Sequence, residues 1–125
     1  MDTLGCPFCS PLSENVVLVN DFCFARWDNY PVNEGHMLII PHRHIADYFD
    51  ANEEEKKALW GLVDQAKLFL DNQLSPQGYN IGVNVGEVAG QTVSHLHIHL
   101  IPRYAGDMPD PKGGVRGVIP EKQKY

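Results

Sequence analysis

The sequence predicts an α+β domain in which a five-stranded antiparallel sheet is covered by one long helix. Short runs of alternating or β-branched residues recur along the chain and end at proline, glycine, asparagine or aspartate, which is typical of strands. Only one long amphipathic segment, residues 52–74, lies among them. A single helix cannot supply the crossovers of an all-parallel sheet, so neighbouring strands are expected to run antiparallel.

Five segments have the length and composition of strands. In chain order they read NVVLVN, FCFARW, HMLIIP, YNIGVNV and VSHLHIHLI. The helix is predicted to begin after Asn52 as N-cap, with acidic residues 53–55 at the positive end of its dipole, and to end at SPQG. Its apolar stripe is expected to pack on the sheet. This stripe consists of Leu59, Leu62, Val63, Ala66, Phe69 and Leu70.

Length and composition predict one domain with one site. The chain has 125 residues, 43% of them hydrophobic, which is enough for a single two-layer core. We expect the domain to cover residues 1–104 and an extended C-terminal tail, rich in proline, glycine and charge, to cover residues 105–125.

Charge and hydropathy exclude two classes of partner. The formal net charge of -6 opposes binding along a nucleic-acid backbone. No apolar run approaches the length of a membrane span, and the first residues have neither a basic start nor an apolar core of a signal peptide. We therefore expect a cytoplasmic protein without nucleic-acid or membrane partners.

The stretch HLHIHL, residues 95–100, alternates histidine with leucine or isoleucine. On a strand the three histidines share one face while the aliphatic residues turn into the core, and a one-residue slip would bury all three imidazoles. A neutral imidazole near pH 7 is both a nucleophile and a proton carrier. Because His97 is flanked by His95 and His99, which can fix its tautomer or donate to an anion, we predict that His97 is a nucleophile.

Two other interpretations of these histidines stay open. A half-exposed strand whose polar face happens to use histidine needs no further role. Alternatively, the histidines could hold zinc, but the Cα atoms of the outer pair lie roughly 13 Å apart on a strand, too far for one ion to reach all three easily. The three rings are therefore expected to have different roles.

The loop before these histidines is predicted to bind phosphate. In NVGEVAGQTV, Gly86 and Gly90 can direct backbone N–H groups at an anion, and Asn84, Gln91 and Thr92 add neutral donors. A hairpin between the preceding strand and the histidine strand would place Asn84 beside the imidazoles. The alternative is an ordinary surface loop with turn glycines.

The segment GQTVSHLHIHLIPR resembles the signature of the histidine triad (HIT) family, His-φ-His-φ-His-φ-φ with φ apolar. The resemblance extends upstream through GHMLIIPHRH and covers roughly residues 1–104. It implies a HIT-like homodimer that acts as a nucleotide hydrolase or nucleotidyl transferase. The central histidine would attack the α-phosphorus of a nucleoside phosphoramidate, dinucleoside polyphosphate or related conjugate, carrying adenine or another purine. Water would then release a nucleoside monophosphate from the nucleotidyl-histidine.

The resemblance also implies roles for individual residues. His36 and His99 would contact the α-phosphate, and Asp28 would accept the ribose hydroxyls, since a carboxylate suits a pair of hydroxyl donors. Catalytic roles fall on His36, Thr92, His97 and His99, and substrate-binding roles on Asp28, Asn84 and Gln91. Phe8 and Phe24 are candidates for stacking on the base, the alternative being that both belong to the core.

The motif CPFC, with Cys6 and Cys9, predicts a structural zinc site. A redox motif would want a strand before the first cysteine and a helix starting at it, which the neighbouring prolines disfavour. Two thiolates need two further ligands for a tetrahedral site, and His44 and His95 are the candidates. His42 is a rival ligand, but strand alternation and the position of a ligand in zinc-binding bacterial-type relatives favour His44. Two free buried thiols remain the alternative.

Two functions other than covalent catalysis also stay open. A zinc-stabilised module could bind nucleotides without turning them over, since every proposed catalytic group could also bind. A zinc-dependent hydrolase could instead use a metal-activated water at His97 and His99.

Overall fold

The computed structural model describes residues 5–10 and 13–125. The elements in chain order are β1 (Val16–Val19), β2 (Cys23–Trp27), β3 (Met37–Pro41), α1 (Glu53–Leu74), β4 (Gly78–Val83) and β5 (Ile98–Arg103). The strands form one sheet in the order β1-β2-β3-β5-β4, and every neighbouring pair is antiparallel. The predicted fold class, a five-stranded antiparallel sheet with one long helix, is confirmed.

Helix α1 begins at a complete capping box. The Asn52 side chain accepts a hydrogen bond from the Glu55 backbone N–H at 2.8 Å, and the Glu55 carboxylate accepts one from the Asn52 N–H at 3.0 Å. Glu55 also receives two hydrogen bonds from the Arg43 guanidinium, at 2.7 and 2.9 Å. The cap therefore both starts the helix and ties it to the segment that follows β3.

The two faces of the sheet have separate hydrophobic clusters. Helix α1 packs on one face, where Ala25, Ile39 and Ile98 are fully buried beneath it. The predicted apolar stripe of α1 lies in this cluster, with Phe69 partly buried at its margin. On the opposite face a smaller cluster joins Phe8 of the N-terminal segment to Phe24, Leu38 and Ile40. The sheet thus has covered surfaces on both sides.

The histidine strand starts later than the sequence predicts. Strand β5 begins at Ile98, so His95 and His97 lie in an extended segment before it. Pairing with β3 runs from Met37–Leu100 to Ile39–Ile98 and goes no further. Beyond this point the Leu96 N–H donates instead to the carbonyl of Ile45, at 2.7 Å. The alternation nevertheless persists, because Leu96 is buried in the core under α1 together with Ile98.

The segment after residue 104, which the sequence predicts to be extended, is only partly extended. It contains two short 3-10 helices, Gly114–Val118 and Pro120–Lys122, and the first contacts β4. At Gly113, with φ of 91°, a Cβ atom would overlap with the Gln123 carbonyl, so close packing of the segment on itself requires glycine. At the start of this C-terminal segment, Asp107 accepts two hydrogen bonds from the Arg103 guanidinium, each 2.7 Å long.

In the described part of the chain, no helix combines the length and the apolar character needed to cross a bilayer.

The capping box predicts a measurable contribution to stability. Asn52→Ala removes the acceptor of the Glu55 N–H, so the free energy of unfolding is expected to fall by about 1 kcal/mol in urea titrations. Asn72→Ala, at an exposed position inside α1, is the matched control, because alanine favours the helix interior by a few tenths of a kcal/mol. Equal losses in both variants would contradict the role of the cap.

Candidate active site

The ring of His97 is held in one tautomer by the backbone. Its Nδ1 lies 2.8 Å from the carbonyl oxygen of His95, so Nδ1–H donates to this carbonyl. The other ring nitrogen, Nε2, then carries the lone pair. Phe8 packs edge-on against the ring, with centroids 5.0 Å apart. The result is a buried imidazole, 7% exposed, with a fixed orientation.

His36, His99 and Asp28 form a connected polar group beside His97. The backbone N–H of Val32 donates to His36 Nδ1 at 3.0 Å, so the proton of this ring sits on Nε2. His36 Nε2 lies 3.0 Å from His99 Nδ1 and 3.4 Å from a carboxylate oxygen of Asp28. When Nδ1 of His99 accepts this proton, its own N–H is on Nε2 and is left to donate to a ligand.

Burial keeps these imidazoles neutral. The pKa of His99 is lowered to about 4, mainly by desolvation and in addition by the nearby His97 and His36, while Asp28 acts in the opposite direction. The pKa of His36 is also lowered, mainly by burial, again against the attraction of Asp28. A neutral His36 is consistent with its Nδ1 accepting the Val32 N–H, since an imidazolium has no acceptor.

A cavity of about 340 Å³ opens in front of His97. Its lining includes Phe8, Arg26, Asp28, Thr92, His97 and His99. Five of these residues are predicted site residues, and the structure brings them together. Arg26 is the one residue of this group that is not among the residues predicted from the sequence. It could have been noticed as a lone charge within the apolar strand FCFARW, two positions before Asp28.

A second cavity, of about 410 Å³, lies on the other side of His99. Its lining includes His36, Asn80, Asn84, His99, Val115 and Val118. Asn84 is therefore near the imidazoles, where β4 pairs with β5 through Gly82 and His99. Val115 and Val118 belong to the C-terminal segment, so this segment forms one wall of the second cavity.

Gln91 holds the loop between β4 and the histidines. Its side-chain oxygen accepts from the Gly86 N–H at 2.9 Å, and its amide nitrogen donates to the carbonyls of Ala46 and Val93. In the described chain Gln91 lines neither cavity. Phe24 lies outside both cavities as well, since its ring stacks on His42 at a centroid distance of 5.6 Å within the smaller hydrophobic cluster.

A second constellation joins the N-terminal segment to His95. Cys6, Cys9, His44 and His95 each offer one ligand atom, and these atoms all lie within 4.8 Å of one another. Cys9 Sγ lies 3.0 Å from His44 Nδ1, while His95 Nδ1 lies 3.1 Å from His44 Nδ1 and 3.5 Å from Cys6 Sγ. The rival ligand His42 is turned away, with Nε2 3.0 Å from the carbonyl of Asn20.

The chemistry of these four residues fits a tetrahedral zinc ion. Bonds of about 2.0 Å to nitrogen and 2.3 Å to sulfur place the ligand atoms of such a site roughly 3.3–3.8 Å apart, close to the spacing found here. His95 Nε2 lies 2.8 Å from the Pro41 carbonyl and donates to it, which leaves Nδ1 unprotonated toward the cluster. Burial lowers the pKa of His95, so the ring is neutral, as a metal ligand must be.

Comparison with known proteins identifies the family. Residues 11–106 match the family described as HIT domain, and the chain therefore belongs to it. An uncharacterized 16.1 kDa HIT-like protein of Mycoplasma pneumoniae is 40% identical over 104 residues, which cover 80% of this chain and 72% of the relative. A protein named AP-4-A phosphorylase from Mycobacterium tuberculosis is 33% identical over 93 residues, 74% of this chain but only 48% of that protein.

Solved structures support the same family. A HIT family protein from Bacillus anthracis superposes with a TM-score of 0.77 at 34% identity, covering 83% of this chain and 77% of that one. A Zn-bound histidine triad family protein from Mycobacterium smegmatis gives 0.76 at 28% identity, covering 86% and 81%. Diadenosine triphosphate hydrolase of Plasmodium falciparum gives 0.75 at 27% identity, covering 80% and 68%. The Cys/His cluster agrees with the zinc-bound member of this set.

The low pKa of His99 predicts a simple titration. The His99 ring is expected to titrate with a midpoint near pH 4 and to stay neutral between pH 6 and 8, as followed by its carbon-bound ring protons in NMR spectra. Because the unfolded chain takes up this proton near pH 6.5, the contribution of His99 to stability is complete above that pH. This contribution is lost as the pH falls toward 4. A His99 midpoint near 6.5 would contradict the assignment.

Proposed function

We propose that this protein is a nucleotide hydrolase or nucleotidyl transferase that cleaves its substrate at the α-phosphate through a covalent nucleotidyl-His97. The observation that carries this proposal is the Nδ1–H bond from His97 to the His95 carbonyl, which leaves Nε2 as an oriented nucleophile beside a cavity. Two proteins to which this chain is similar are named AP-4-A phosphorylase and diadenosine triphosphate hydrolase, and their names point to nucleotide substrates.

The reaction proceeds in two displacements at phosphorus. The lone pair of His97 Nε2 forms a P–N bond while the bond to the leaving group breaks, and the leaving group departs with the electron pair and takes up a proton. In the second step water attacks the phosphorus, the P–N bond breaks, and a nucleoside monophosphate is released. A second nucleophile in place of water turns hydrolysis into transfer.

The neighbouring donors stabilise charge on the phosphoryl oxygens. His99 has an Nε2–H free to donate, and His36 holds His99 in that tautomer through the 3.0 Å contact. Thr92 supplies a hydroxyl from the wall of the His97 cavity. Asp28, in the same wall, is proposed to accept the ribose hydroxyls, and Asn84, in the wall of the second cavity, is proposed to support the leaving group. Gln91 orders the loop that presents Thr92.

A zinc-dependent hydrolase is the alternative with an observation behind it, because Asp28, His36 and His99 could also converge on a metal. Two features disfavour that use. The 3.0 Å contact between His36 Nε2 and His99 Nδ1 needs a proton between the nitrogens, whereas a metal needs lone pairs on both. The other nitrogen of His36 is occupied by the Val32 N–H. The group is better suited to relay a proton and orient a donor.

The Cys6, Cys9, His44 and His95 cluster is proposed to hold a structural zinc ion. Such an ion would join the short N-terminal segment to the histidine segment and would stabilise the thiolates, since burial otherwise raises the pKa of Cys9. It would take no part in the chemistry at phosphorus.

We further propose that the protein is a cytoplasmic homodimer that binds small nucleotide ligands. We propose no nucleic-acid partner, because the net charge of -6 opposes binding to a polyanion.

The covalent intermediate is directly testable. Incubation with an adenosine or guanosine phosphoramidate, or a dinucleoside polyphosphate labelled at the α-phosphate, should give an acid-sensitive labelled protein on rapid quenching. His97→Asn should abolish the label and lower turnover by several orders of magnitude while nucleotide binding persists. His42→Asn is the matched control, because His42 is exposed and belongs neither to the Cys/His cluster nor to the polar group of Asp28, His36 and His99. Nucleotide binding without adduct or turnover in the wild type would instead indicate a binding module.

Removal of zinc distinguishes a structural role of the ion from a catalytic role. We expect about one zinc per chain by elemental analysis. Chelation should lower the free energy of unfolding by about 2.7 kcal/mol or more, the contribution of a ligand present at 100 times its dissociation constant. The Cys9→Ser variant should show a smaller response to the chelator. Metal-free protein that stays folded at low temperature should still form the adduct on His97. Abrupt loss of turnover without loss of stability would favour the zinc-dependent hydrolase.

A further inference from the structure

Arg26 is a buried cation in the wall of the His97 cavity. It lies in β2 between Ala25, which packs beneath α1, and Trp27, which contacts the same cluster, so its own side chain points to the opposite face. Only 4% of the residue is exposed. A charged group withdrawn from water to this extent is costly unless a partner receives its hydrogen bonds.

The described residues use only part of the guanidinium. Nε donates to the Trp27 carbonyl at 3.0 Å, and the guanidinium carbon lies 5.6 Å from the centroid of the Phe8 ring. Within residues 5–10 and 13–125, no carboxylate forms an ion pair with Arg26 and no acceptor is bonded to its two terminal nitrogens. No sealed side-chain nitrogen or oxygen in these residues lacks a partner, and Arg26 is among the residues that line the cavity beside His97.

The N–H donors of the Arg26 guanidinium lie apart from the imidazoles that are proposed to contact the phosphate. In the sheet Arg26 is opposite Leu38, and Leu38 is opposite His99, so the backbones of Arg26 and His99 are two strand spacings, roughly 10 Å, apart. Leu38, an apolar residue that lines the cavity, lies between them. The Phe8 ring contacts both His97, at 5.0 Å, and the Arg26 guanidinium, at 5.6 Å. A continuous apolar wall therefore connects the nucleophile to the guanidinium.

We infer that Arg26 reads the base of the bound nucleotide and selects a 6-oxopurine, such as guanine, over adenine. The inference rests on the proposed function, since it places the phosphate at the imidazoles and the base at the apolar end of the cavity. Two parallel N–H donors match the O6 and N7 acceptors of guanine. On adenine the same edge presents N7 beside an amino donor, which would face the guanidinium N–H groups and leave one of them unpaired.

The size of the preference follows from the loss of one charge-assisted hydrogen bond. A bidentate arginine contact discriminates between bases by about tenfold to a hundredfold. Arg26 thereby narrows the expected substrate from purine nucleotides in general to those with an oxygen at position 6.

Binding of nucleoside monophosphates tests this inference without turnover. Calorimetric titration of the full-length protein should give a dissociation constant at least about tenfold lower for GMP than for AMP. IMP, which has O6 and N7 but no 2-amino group, should bind like GMP, and 7-deaza-GMP, which lacks the N7 acceptor, should bind more weakly. These results are independent of whether an adduct forms on His97, so failure of the proposed chemistry and failure of base selection are distinguishable.

Variants assign the preference to the guanidinium. Arg26→Met should bring the ratio of AMP to GMP dissociation constants close to one, and Arg26→Lys, which keeps the charge but not the fork, should reduce it in part. Lys57→Met is the control for the lost charge, because Lys57 is exposed on α1, and it should keep the wild-type ratio. Arg26→Lys provides the test where Arg26→Met does not fold.

Two outcomes would overturn the inference. The first is wild-type protein that binds AMP as tightly as GMP. The second is an Arg26 variant that weakens both monophosphates by the same factor, which would indicate a contact with phosphate or a purely structural role.

Discussion

The arrangement of the site depends on the burial of three aliphatic side chains. Leu96, Ile98 and Leu100 are at most 1% exposed in the core under α1, and each contributes about 1.5–3 kcal/mol by leaving water. A slip by one residue would exchange them for imidazoles, which bury poorly without partners. The register is therefore strongly determined, and the histidines between these residues are directed to the other face.

The three histidines share one spacing but differ in what surrounds them. His95 faces the two cysteines and His44, His97 faces the open cavity, and His99 faces His36. His95 and His97 are also joined by a hydrogen bond, because the His95 carbonyl accepts the Nδ1–H of His97. An ion on His95 would steady the same residue that orients the His97 ring. In this way the Cys/His cluster and the His97 ring are linked through one residue without sharing an atom.

Both ends of the described chain contribute to the histidine face. Phe8, from the N-terminal segment, packs on His97, and the segment Gly114–Val118 forms a wall of the second cavity. His99 lies between the two cavities and lines both. A donor on the His99 ring can therefore serve a group that spans both cavities.

The sequence by itself determined the fold class, the start of α1 and the face on which the histidines lie. These features are local. A capping residue, the apolar periodicity of a helix and the two-residue alternation of side chains on a strand can each be recognised within a few residues of sequence. The CPFC spacing and PHRH also predicted Cys6, Cys9 and His44 as candidate ligands, and the structure brings these side chains to His95. Only the tertiary structure decided where β5 begins, where the tail lies and that Gln91 is bonded to backbone. It also placed the Arg26 guanidinium in the cavity. Each of these depends on contacts between segments far apart in the chain, such as the bond from Leu96 to Ile45, and no local pattern encodes such a contact.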